Sequence, residues 1–69
     1  MQPALMIIAR AFVAYDRSRE AGAYADLSTD KKDGYESGMM AAMHALTLDG
    51  TEVGMALSIA FAEKETLET

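Results

Sequence analysis

Sixty-nine residues allow one domain, and a chain of this length buries only about 60% of the surface its unfolded form exposes. With no cysteine, disulfide staples and thiolate metal sites are excluded, and His44 alone leaves little for a nitrogen-ligated metal, so no cofactor or metal is expected. A formal charge of −5, from eleven acids against six Lys and Arg, argues against a phosphate-backbone binder and makes nucleic acid an unfavoured partner.

From Ala4 to Tyr15 every residue except Arg10 is apolar, so the first predicted helix, residues 3–16, is hydrophobic on nearly all sides and needs more than one partner surface. Twelve helical residues span about 18 Å, too short for a bilayer core of about 30 Å, so no membrane span is expected. A signal peptide is the rival reading. No Lys or Arg precedes the run, Arg10 interrupts it, and cleavage would leave too little mature chain. Pro3 suits a first helical turn, and Leu5, Ile8, Phe12 and Tyr15 form the predicted main face. The following stretch, residues 16–27, reads as a connection into which the helix could extend, with its break near Gly22, the one residue there that takes positive φ without steric cost.

Ser28 is a good cap for a second helix over residues 28–48, with Asp30 near the positive end of its dipole. Tyr35, Met39, Met43 and Leu46 recur on one predicted ridge. Gly34 and Gly38 each cost roughly 1 kcal/mol of intrinsic helicity relative to Ala. With Ala41, Ala42 and Ala45 they make a small-residue stripe that another helix could approach closely.

Leu48-Asp49-Gly50-Thr51 reads as a stop and a start: Gly50 ends one helix and Thr51 caps a third, residues 51–65, which buries Val53, Leu57, Ala60 and Phe61. Asp-Gly is also a hairpin turn signal, so a β-hairpin across residues 46–54 is the competing assignment. Gly54, Ser58 and Ala62 form a second small-residue stripe. Residues 49–69 hold five acids against Lys64 alone, a solvated acidic end with a docking or DNA-mimicking surface as the lesser reading.

The chemical inventory is thin. His44 could pair with Asp49 or Glu52, but there is no cysteine nucleophile, glycine-rich phosphate loop or nucleophile elbow, and no enzyme is expected. Asp30, Asp33 and Glu36 share a helical face, where acids more often favour a helix start than hold a cation. One patch could recognise a small anion: Arg17, Arg19, Lys31 and Lys32 with the free amides of the second helix and the Ser28 hydroxyl. Asp16, Glu20, Asp26, Asp30 and Asp33 lie among these cations, so a solvated mixed-charge surface is the stronger reading. Tyr15, Tyr24 and Tyr35 could stack on a base, and each also fits a core.

Arg10-Ala11, Tyr24-Ala25-Asp26-Leu27-Ser28, Lys32, Tyr35, Met39-Met40-Ala41-Ala42 and Ala45-Leu46 together resemble a pattern found in small helical accessory proteins of bacteriophages and prophages, over roughly the first two thirds of the chain. Tyr24 stands where that pattern usually has Trp. The resemblance implies a viral accessory product in the host cytoplasm and carries no catalytic residue across. Tyr24, Leu27, Ser28, Lys32 and Tyr35 also echo a helix entry of HMG-box DNA-binding domains, whose basic surface this acidic chain lacks.

The sequence therefore predicts a small all-α three-helix domain that self-associates, as a dimer by default, since oligomerisation is the remaining remedy for a small core with surplus apolar surface. Leu5, Ile8, Phe12, Gly34, Gly38, Met39, Met43 and Gly54 are the candidate interface residues. The expected function is non-enzymatic binding of a host protein, with interference in a defence or regulatory complex as its sharper form. Sequestration of a nucleotide signal at an oligomeric interface and a structural role in a virion are the alternatives.

Overall fold

A computed structural model describes residues 2–68, and the side chains of residues 2–66. Three helices account for almost all of it: α1 (Pro3–Glu20), α2 (Thr29–Leu46) and α3 (Gly50–Glu68). No strand occurs among the described residues, so the hairpin assignment is set aside.

The helix ends follow local chemistry. Past residue 16, α1 continues to Glu20 because its charged turn finds partners, with Arg17 pairing to Glu20 one turn on and Arg19 reaching α2. It stops where Gly22 takes φ +87°, the single positive φ among the described residues. There the Gly22 amide donates to the Arg19 carbonyl and the Ala23 amide to that of Ser18, each at 3.0 Å, the paired bonds of a Schellman stop. Ser28 caps α2 by accepting the Lys31 amide on its hydroxyl at 3.3 Å. The start of α3 corrects the expectation. Asp49, not Thr51, supplies the capping oxygen, accepting the Thr51 amide at 2.9 Å. Gly50 opens α3 rather than closing α2, which ends at Leu46.

The topology is up-down-up. Gln2, at the start of α1, donates from Nε2 to the Leu46 carbonyl at the end of α2 (2.9 Å), satisfying an acceptor the helix leaves free. At the opposite end Arg19 meets Asp33 and Glu36, so α1 and α2 are antiparallel. Arg17 meets Glu65 late in α3, which returns parallel to α1. α1 packs against both other helices, which touch each other little, and the molecule is a slab of 35 × 30 × 15 Å.

The core comprises Leu5, Ala9, Val13, Met43, Val53, Ala56 and Ala60, with Met6, Ile8, Phe12, Met40, Leu46, Leu57 and Phe61 packed around it. The expected face of α1 is rotated: Leu5, Ala9 and Val13 are fully buried, whereas Ile8, Phe12 and Tyr15 are half-buried on the flank toward α2. An all-apolar helix between two neighbours has no single preferred face, and small Ala9, Ala56 and Ala60 let α1 and α3 approach most closely. On α2 the ridge turns likewise, through Met40, Met43 and Leu46, leaving Tyr35 53% exposed.

The glycines of the expected small-residue stripes are not approached by another helix of the chain. A Cβ placed on Gly34, Gly38 or Gly54 meets nothing within 4 Å. Gly34→Ala and Gly38→Ala are therefore expected each to stabilise the folded chain by about 0.5–1 kcal/mol through helix propensity alone. Urea unfolding checks this, and a loss of stability in either variant would show a close contact at that glycine.

Candidate functional site

Of the expected anion patch, Arg17 and Arg19 turn to different helices. Arg17 and Arg19 are two residues apart on α1 and so face opposite flanks. Arg17 turns to α3, bonding Glu65 at 3.3 Å and lying 5.9 Å over the Phe61 ring, while its buried Nε has no hydrogen-bond partner. Arg19 turns to α2, held by Glu36 at 2.7 Å and Asp33 at 3.3 Å. Its hydrogen bond to Glu36 is the main cause raising an already high guanidinium pKa, against a smaller opposing effect of desolvation. Ser28 Oγ is engaged with the Lys31 amide, Lys31 is exposed, and the Lys32 carbonyl accepts the Tyr15 hydroxyl at 3.2 Å. A phosphate there would compete with carboxylates already bonded to Arg19. His44 is exposed in the last turn of α2, and the Asp49 carboxylate is engaged in the α3 cap. Among the described residues no group of three or more His, Asp or Glu is placed to hold a metal ion.

Of the expected interface residues, Leu5 and Met43 are fully buried in the chain's own core. Ile8, Phe12 and Met39 are half-buried, and Gly34, Gly38 and Gly54 are exposed. Sequence reasoning missed the apolar surface that remains open. Ala4, Ile7, Ala11 and Ala14 recur along the side of α1 turned away from the core, all exposed, with Ile7 at 65%. On α3, Met55 and Ile59 are 52% and 43% exposed and continue through Ala62 at helical spacing. The Arg10–Glu63 pair, 3.3 Å, bridges the two helices, and Ile59, Ala62, Glu63 and Thr66 line an open hollow of about 510 Å³ along α3. The signal was present as the apolar run of α1, broken by Arg10 alone, but which side would stay open depended on where its neighbours packed.

A second concavity lies where α1 ends and α2 begins. Tyr15 stacks on Tyr24, with centroids 4.9 Å apart and planes at 25°, and meets Tyr35 edge-on at 5.8 Å and 75°. With Leu27 and Met39 these rings line a groove of about 400 Å³. Desolvation pushes the Tyr15 phenol above its ordinary range, while Arg19 pulls it down and Glu36 up. Because the folded value is raised, its contribution to stability is present below about pH 10 and is lost as pH rises through the folded value. Tyr15→Phe should flatten that alkaline limb in a series of melts, and an unchanged limb would mean the phenol does not contribute to it.

No helix among the described residues is long and apolar enough to cross a membrane. No protein-family model, curated protein or solved structure matches the chain.

Proposed function

We propose that this protein is a non-enzymatic binding module that self-associates, a two-fold dimer being the default, through the open apolar side of α1 and the adjoining ridge of α3. The observation that carries the reading is the uncharged stripe Ala4, Ile7, Ala11 and Ala14 on a helix whose two flanks are already covered. Met55 and Ile59 are exposed on α3 as well. Single exposed apolar residues are ordinary on protein surfaces, whereas an apolar row along three turns of α1, with a second exposed ridge on α3, marks an interaction face.

The resemblance to phage accessory proteins makes a host protein the partner of the assembled module, and interference with a defence or regulatory complex its effect. The nucleotide-sequestering alternative draws less support, because Arg17 and Arg19 are bonded to carboxylates on opposite flanks of α1. The partner reading is tested by affinity isolation from infected cells with the wild-type chain and an Ile7→Glu, Ile59→Glu double variant. Both residues are exposed in the single chain, so the variant should stay folded, with melting lowered only by the association it loses. A partner recovered by the wild type and reduced about tenfold or more with the variant is the expected result. Equal recovery would overturn the assignment of this face.

A further inference from the structure

We propose that the three-tyrosine groove between α1 and α2 binds a small organic cation bearing a quaternary ammonium head. The proposal is independent of the α1–α3 face. Tyr24 stacks on one face of Tyr15, and Tyr35 stands at 75° to Tyr15, so the groove is lined by rings in two orientations. Ring faces carry negative potential, and aromatic corners of this kind attract quaternary ammonium groups within about 6 Å of a ring centroid. The groove's 400 Å³ lies within the roughly 300–1,000 Å³ typical of small-ligand sites. Tyr15 is oriented in advance by its bond to the Lys32 carbonyl, so this wall needs no ordering on binding.

Charge selects a cation over a neutral or anionic occupant. Residues 15–36 contain six carboxylates against four cations, and Arg17 turns away from this end onto α3. Arg19, whose charge acts on the Tyr15 phenol, is held by both Asp33 and Glu36, a trio with one negative charge in excess. The walls provide aromatic rings, Leu27 and the Met39 thioether, which suit the methyl groups of an ammonium head. A compact point charge such as sodium would keep its water instead.

The test is a nuclear magnetic resonance titration of the full chain with choline and, in parallel, with 3,3-dimethylbutan-1-ol, its uncharged carbon isostere, at matched ionic strength. Choline in the millimolar range should shift the ring resonances of Tyr24 and Tyr35 and bind about tenfold or more tightly than the isostere, a difference of about 1.4 kcal/mol. This comparison needs no variant. Tyr35→Ala, at an exposed position, should lower choline affinity about tenfold, and Tyr35→Phe should retain it because the ring face remains. Absence of shifts with millimolar choline, or equal response to the isostere, would overturn the proposal. So would full choline affinity in a folded Tyr35→Ala variant.

Discussion

Met43→Ala is expected to cost about 2–5 kcal/mol, enough to unfold much of the population. Met43 is the one fully buried residue of α2 and a member of the shared core, while α2 and α3 hardly touch. Truncating it removes the principal apolar anchor of the helix and leaves a cavity at the centre of a thin slab. A chain of 69 residues at roughly 0.05–0.15 kcal/mol per residue has only about 3–10 kcal/mol in total, so the loss is a large fraction of it. Urea unfolding measures the change. A cost below about 1 kcal/mol would mean that α2 is held elsewhere. Half-buried Met39, which lines the tyrosine groove, serves as the control and should cost clearly less when truncated.

Ala56→Leu is expected to destabilise by about 1–3 kcal/mol through overpacking, although it raises apolar content. Ala9, Ala56 and Ala60 are 0%, 0% and 3% exposed in the densest helix pair of the fold. Three added side-chain carbons at Ala56 must push α1 away or adopt a strained rotamer. At about 4–8 °C per kcal/mol for a domain of this size, thermal melts resolve the effect. A melting temperature equal to or above the wild type's would mean that α1 and α3 do not approach closely at Ala56. The opposite signs expected for Gly34→Ala and Ala56→Leu separate two kinds of small residue, one facing open space and one in a close helix contact.

Local signals in the sequence were legible where one residue type has one use. Gly22 stops α1 because only glycine takes that φ at no cost, and Ser28 caps α2 with its own hydroxyl. The α3 start was misassigned because Asp49 and Thr51 can both cap, and the two choices differ by two residues of register. Facing was the harder problem. In α1 the run from Ala4 to Tyr15 offers apolar side chains in every direction, so periodicity could not choose Ala9 and Val13 over Ile8 and Phe12 for full burial. Tyr35 has core-like spacing on α2, yet its ring meets Tyr15 of α1, which itself stacks on Tyr24 of the connection. No single-helix pattern contains that meeting. Arg17 and Arg19 part for a related reason: they are near in sequence, but a helix turns them to different neighbours.

We propose the open side of α1, with the exposed ridge of α3, as an association surface. Full burial of an Ile or Met side chain contributes about 1.5–3 kcal/mol, and a two-fold interface would cover Ile7, Met55 and Ile59 twice. Sedimentation equilibrium of the wild-type chain at micromolar concentration, with an Ile7→Glu variant beside it, measures this directly. The expected result is a wild-type mass of a dimer or larger and a folded variant shifted toward 7.4 kDa, its association weakened about tenfold or more. A wild-type chain that is fully folded and sediments at 7.4 kDa throughout that range would contradict it.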